Sequence, residues 1–406
     1  MLKGPSVLLG GVPFGCDNVG DEAILECAVR IFREVCPRCE LTVATGDPRN
    51  TSAKLDVRTC ELLGFVPAQD PRRLESILRE HDVFVWCGAT GLSDYPETPA
   101  RLMLTAQRAG LKTIVWGVGM NDELNPALYR LTSGRRRAVL TWLRRGSFGL
   151  FDAVGHAERR RARRARAAIA QSLNAADLVV ARDPETKEEI RRCGATCAVT
   201  VGADSALTLD PEPVESISLP SPVRRLLEMD MRKIGVCISA QRRVTDRTRL
   251  IETLNRLCAD NAACILFIPM NPITDAELMR DLHAGMAFPE RAALLEGRYA
   301  PAEVLAVTAQ MNLIVSSRLH LLIFASLADV PMIGVSRGSK VDSFLRPMGL
   351  KSAGSAEECD FAFLEAEATR LLEHSEEFAQ TCRENRSRLL DRLTRAKQRL
   401  RETIAP

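Results

Sequence analysis

At 406 residues the chain is long enough for two or three domains, each with its own hydrophobic core. A composition of 46% hydrophobic and 26% charged residues, with a formal net charge of +3, reads as an ordinary globular protein and excludes a disordered or collagen-like chain. No apolar run reaches the roughly 18 residues needed to span a bilayer, and Met1-Leu2-Lys3-Gly4-Pro5 leads into a strand and not a signal peptide, so the expected location is the cytoplasm.

In chain order, short β-branched or apolar runs alternate with helical patterns. The strands expected are Val7–Gly10, Leu41–Thr45, Val83–Cys87, Thr113–Gly117, Leu178–Ala181 and Ala198–Val201, then Ile234–Ile238, Cys264–Ile268, Leu313–Ser316 and Met332–Val335. Such alternation predicts an α/β protein with parallel, doubly wound sheets covered by helices on both faces. Four prolines between Asp210 and Pro222 predict a linker, giving a Rossmann-like domain over 1–215, a second over 223–355, and a helical segment over 356–406 with a leucine stripe. Two such domains would face each other across a cleft. The thirteen cysteines, scattered through strands and helices, read as reduced small hydrophobes; Cys36-Pro37-Arg38-Cys39 has CxxC spacing but no second pair nearby.

Several strand ends carry residues with chemistry. Val7 to Leu25 reads as strand, glycine-containing loop and helix, but Gly15 and Gly20 have neither the GxGxxG nor the P-loop spacing. Asp21 and Glu22 at the helix start would repel phosphate, so this loop is expected to bind hydroxyls through Asn18 and Asp21, or to use Asp21 as a base; a plain helix cap and turn is the alternative. Gly88 and Gly91 lie after the third strand, where they would let backbone approach a ligand. Arg182-Asp183 and Asp204 follow two later strands, Asn271 a strand of the second domain, and Lys340 its last strand. Ser316-Ser317-Arg318-Leu319-His320 opens a helix apolar on almost every side, with the two serines as expected caps. It sets an Arg and a His where open α/β sheets bind ligands and where helix N–H groups favour an anion; a salt-bridged Arg and a core His are the alternative. Between Arg135 and Arg166 run Arg135-Arg136-Arg137, Arg144-Arg145 and Arg159 to Arg166, interleaved with Leu140, Trp142, Leu143, Phe148, Leu150 and Phe151. This pattern fits either a helical segment on anionic lipid or a solvated face, and no nucleic-acid module accompanies it.

The order of these motifs resembles the polysaccharide pyruvyltransferase family. The matching residues are Gly15 to Leu25, Arg182-Asp183, Asp204, Arg318-Leu319-His320 with its apolar helix, and Lys340-Val341-Asp342 with Phe344-Leu345. The resemblance implies a two-domain fold of glycosyltransferase-B type and transfer of pyruvyl from phosphoenolpyruvate onto glycan hydroxyls as a ketal, releasing phosphate. It implies no cofactor and no metal, phosphoenolpyruvate being a co-substrate. By resemblance Arg182, Arg318, Leu319, His320 and Lys340 serve the donor, and His320, Arg318 and Asp21 the chemistry. Gly15, Asn18, Gly20, Asp21, Glu22, Gly88, Gly91 and Asn271 are assigned to the acceptor, a sugar or lipid-linked saccharide. The chain departs from the family at Gly88-Ala89-Thr90-Gly91, at Gly117-Val118-Gly119-Met120-Asn121 and at Asn271, where a His is common; these departures bear on the acceptor. The competing readings are a glycosyltransferase using a nucleotide-sugar on the same architecture and a catalytically silent protein that binds a glycan or a partner.

Overall fold

The computed structural model describes residues 4–405 apart from 66–69, 126–129, 132–133, 135–136, 140, 143–151, 241–245, 337–338 and 356. It contains two parallel sheets. The first has seven strands: β1 Ser6–Gly11, β2 Glu40–Thr45, β3 Arg58–Glu61, β4 Val83–Cys87, β5 Lys112–Val118, β6 Leu178–Ala181 and β7 Val199–Val201. Their order is β3-β2-β1-β4-β5-β6-β7. The second has β8 Arg232–Cys237, β9 Ala263–Phe267, β10 Ala292–Leu294, β11 Leu313–Ser316 and β12 Met332–Gly334, in the order β10-β9-β8-β11-β12. The expected doubly wound α/β architecture is present, and the helices Phe361–Glu373 and Ser375–Ile404 follow it.

By its contacts the chain divides into two compact units: Met1–Pro13, Phe32–Gly202 and Ala396–Pro406 form one, Phe14–Ile31 and Ala203–Arg395 the other. The sequence boundaries place residues 14–31 in the first domain, whereas the contacts place them in the second unit. The proline-rich stretch also falls inside the second unit, where the Glu212 amide donates to the Ala302 carbonyl and Ile217 and Leu219 are buried.

In the first unit β4 is buried along its whole length, as a central parallel strand covered on both faces must be. Phe84, Trp86 and Val115 pack with Leu78, Leu102, Met103, Ile169 and Leu173 from the covering helices. The helix Ala153–Asn174 divides by its period: Ala165, Ile169 and Leu173 face the core, while Arg159, Arg160, Arg161, Arg163 and Arg164 are exposed. In the second unit the apolar helix Leu319–Leu327 is buried except at His320 and Leu327, which explains why it lacks a polar face. Full burial of each such Leu or Phe contributes about 1.5–3 kcal/mol. No helix among the described residues is long and apolar enough to cross a membrane.

Candidate functional site

The order of the second sheet reverses between β8 and β11, and the crevice outside the carboxyl ends at such a point is where open α/β sheets bind ligands. Arg318 and His320 lie there, directly after β11. The local chain is fixed by hydroxyls. Ser316 Oγ accepts from the Arg318 amide at 2.9 Å and donates to the Arg318 carbonyl at 3.0 Å, and Ser317 Oγ accepts from the Ser239 amide at 2.8 Å. Neither serine caps the helix as expected. Arg318 occupies the cap position in extended conformation, with no side-chain cap bond.

Arg318 is buried, and one edge of its guanidinium is engaged. Its Nε donates to Asp275 Oδ2 at 2.9 Å and its Nη2 to Asp275 Oδ1 at 2.6 Å, with Thr274 Oγ1 a further 3.5 Å contact of Nη2. Burial works against the charge, but the Asp275 carboxylate outweighs it and holds Arg318 above its ordinary basicity, with smaller help from Cys237 and Asp21. The salt-bridged alternative for Arg318 therefore holds for its Nε–Nη2 edge. Asp275 is fully buried and also accepts from the Asn271 amide at 3.1 Å. It stands at the cap position of the helix Ala276–Ala284, yet makes no side-chain cap bond there.

His320 is held from two sides. Its Nε2 lies 3.4 Å from Asp204 Oδ2, both side chains being largely buried. Asp204 uses its other oxygen, Oδ1, to cap the short 3-10 turn Ser205–Thr208 through the Ala206 amide at 3.0 Å. Against the other side of the ring lies Gly20: a Cβ there would stand 2.2 Å from His320 Nδ1, so the imidazole occupies the place of a side chain.

Gly20 is brought there by the loop ahead of the helix Val19–Val35. Gly15 adopts a left-handed φ of 73° and its amide donates to Glu22 Oε1 at 2.7 Å. Asn18 bridges Asp21 Oδ2 at 2.7 Å and the Gly20 amide at 3.2 Å, and the Val19 amide donates to the Met270 carbonyl at 2.9 Å. Asp17 reaches Arg298 at 3.0 Å. Gly15, Asn18, Gly20, Asp21 and Glu22 thus share the second unit with Arg318 and His320.

The remaining expected residues are placed as follows. Leu319 is a core residue of its helix. Lys340 is half-buried in the first turn of the helix Ser339–Leu345, beyond β12, the strand beside β11. Asn271 spends its side-chain oxygen on the Ile273 and Thr274 amides at 3.0 and 2.9 Å, closing the turn that leads to Asp275. Arg182, Gly88 and Gly91 belong to the first unit. There Arg182 is buried, bonded to Asp183 at 3.2 Å, and lies against Gly119, where a Cβ would meet Nη2 at 2.4 Å. Gly88 takes a φ of 70°, and Gly91 faces the Trp86 indole, which a Cβ would meet at 2.8 Å. Of the basic segment, Arg135, Arg136, Leu140, Leu143, Arg144, Arg145, Phe148, Leu150 and Phe151 lie outside the described residues, and Trp142 is 70% exposed.

Sequence reasoning missed Asp275 altogether and left Asp204 without a role. The available signal for Asp275 was indirect: an Arg in an otherwise apolar environment requires a carboxylate partner.

A sequence model of the family described as polysaccharide pyruvyl transferase matches residues 18–339, most of the chain. No curated protein sequence matches significantly. Among solved structures, HepE of Anabaena in complex with UDP-glucose superposes with a TM-score of 0.58 at 13% identity, covering 98% of this chain and 99% of that one. A putative UDP-N-acetylglucosamine 2-epimerase from Listeria monocytogenes gives 0.60 at 15% identity, and MnaA of S. aureus with UDP gives 0.61 at 12%, each covering 94% of this chain and 91% of its own. At these identities the likeness is one of fold, glycosyltransferase-B-like in both its sheets and its C-terminal helices.

Proposed function

Since the chain belongs to the polysaccharide pyruvyl transferase family, we propose that it moves the pyruvyl group of phosphoenolpyruvate onto two hydroxyls of a glycan or glycan precursor, forming a ketal and releasing phosphate. The observation that carries this reading is His320, held between Gly20 and Asp204 beside Arg318 at the reversal point of a parallel sheet.

In this reading the methylene carbon of phosphoenolpyruvate gains a proton and its neighbouring carbon becomes oxocarbenium-like. A sugar hydroxyl attacks that carbon and gives up its proton, the bond to phosphate oxygen breaks, and a second hydroxyl closes the ketal. His320 moves a proton and Asp21 is the second candidate base. With its Nε–Nη2 edge on Asp275, Arg318 offers the donor its outer Nη1–Nη2 edge, the backbone at Leu319 supports it, and Lys340 adds a point charge. Gly15, Asn18, Gly20, Asp21, Glu22 and Asn271 serve the acceptor. Arg182 joins the donor set, and Gly88 and Gly91 the acceptor set, through the family pattern alone. The donor side would then be the C-terminal sheet and the acceptor side the N-terminal part of the chain. No cofactor is required beyond the co-substrate. The work would take place in the cytoplasm, with the exposed arginines of the helix Ala153–Asn174 resting on an anionic membrane that carries a lipid-linked acceptor.

The test is a thermal-shift and product assay with phosphoenolpyruvate and with UDP-sugars. Phosphoenolpyruvate should raise Tm and, with a saccharide acceptor, release phosphate; His320→Gln should keep the shift and slow turnover by roughly 10²–10⁴. Stabilisation by UDP-sugars alone, with nucleotide release, would assign a glycosyltransferase instead.

A further inference from the structure

We infer that Asp204 is the positioning residue of His320: it holds Nε2–H and leaves Nδ1, the nitrogen beside Gly20, as the atom that exchanges the proton. The inference rests on the proposed role of His320 and adds which nitrogen acts and what orients it.

A neutral imidazole carries one N–H and one lone pair, and the partner of one nitrogen fixes the task of the other. Here the two nitrogens have different surroundings. Nε2 is sealed from solvent and its near neighbour is a carboxylate oxygen, Asp204 Oδ2 at 3.4 Å. A carboxylate can only accept, so it selects the tautomer with hydrogen on Nε2. The separation is wide of a good hydrogen bond, as is common before a substrate tightens such a pair. Asp204 itself is anchored, because Oδ1 is bonded to the Ala206 amide at 3.0 Å at the start of its 3-10 turn. Among the described residues no hydrogen bond is made to Nδ1. It lies against Gly20, where a Cβ would stand 2.2 Å away, so only a glycine lets the ring take this position. Arg318, two residues before His320, has its Nε–Nη2 edge taken by Asp275, and Asp21, next to Gly20, accepts from Asn18 through Oδ2.

The decisive variant is Asp204→Asn. Its oxygen can still cap the turn, so the fold is kept, but its amide now points N–H at Nε2 and reverses the tautomer, putting the hydrogen on Nδ1. Reversal of this kind in a Ser-His-Asp triad preserves geometry and costs about 10⁴ in turnover. The chain has 5 histidines, so the His320 signals can be assigned in ¹⁵N-histidine-labelled protein by their loss in His320→Gln.

The wild-type spectrum should show His320 as the Nε2–H tautomer, and Asp204→Asn should convert it to Nδ1–H. Turnover should fall by roughly 10²–10⁴ with the phosphoenolpyruvate KM changed by less than about threefold. Gly20→Ala should lower turnover while phosphoenolpyruvate still raises Tm. An Nδ1–H tautomer in the wild type, an unaltered spectrum in Asp204→Asn, or near-wild-type turnover in that variant would overturn the inference. The wild-type spectrum decides even if the variant fails to fold. If the wild-type protein releases no phosphate from phosphoenolpyruvate, the reaction assigned above falls, whereas the tautomer measurement still reports on Asp204.

Discussion

Arg318 and Asp275 meet along one edge of the guanidinium with both partners out of water, an arrangement in which neither can be removed cheaply. Deleting one member of a buried pair leaves an uncompensated charge and typically costs about 3–5 kcal/mol. Asp275→Ala should therefore lower the unfolding free energy measured by urea denaturation by an amount in that range; a loss below about 1 kcal/mol would mean that water reaches the pair. Arg318→Lys should lower the Tm of the ligand-free protein, because an ammonium cannot serve both carboxylate oxygens. A loss of ligand-induced stabilisation in that variant is then read only after this shift in the free protein is subtracted. At this scale the sequence showed the motif and not its support. Arg318 and His320 stand out because a cation and an imidazole in an apolar helix start are unusual, but nothing local announces that Asp275 and Asp204 answer them. Those partners are forty and more positions away in sequence and resemble ordinary helix caps.

The helix Ser375–Ile404 shows how element and core depend on each other. Its last turns belong to the first unit, where Ala396, Leu400 and Ile404 are buried, Ala396 lies near Gly202, and Lys112 Nζ donates to the Thr403 and Ala405 carbonyls. Leu400→Ala should cost about 2–5 kcal/mol in chemical denaturation. By contrast, Glu34→Gln, which breaks the partly exposed Lys397–Glu34 pair at 2.8 Å, should cost no more than about 1 kcal/mol. Equal effects would mean that charge and not burial holds this end of the helix. Strand legibility followed the same division. Val83–Cys87, Leu178–Ala181 and Leu313–Ser316 were expected at their observed bounds because strands covered on both faces need unbroken apolar runs. Arg58–Glu61 went unread because it is an edge strand with charged residues at both ends and no apolar alternation; Ala292–Leu294 went unread although Val199–Val201 and Met332–Gly334, equally short edge strands, did not.

Across the whole molecule the net charge of +3 conceals a local concentration of arginine on the helix Ala153–Asn174. Each cation near an anionic surface contributes on the order of 1 kcal/mol, so the protein should co-sediment with phosphatidylserine vesicles at low salt and be released at high salt. Changing Arg159 through Arg164 to Gln should abolish the binding; wild-type protein that ignores such vesicles at low salt would reduce the patch to a solvated face. A different property of the whole follows from the assignment of Phe14–Ile31 to the second unit. The glycine that receives His320 is synthesised 300 positions before it. That contact therefore cannot close until the chain through His320 has left the ribosome, and neither side of Gly202 contains a complete unit. Fragments cut at Gly202 should be poorly soluble when expressed separately and should recover through complementation when co-expressed, behaviour expected of an interleaved chain and not of two beads on a string.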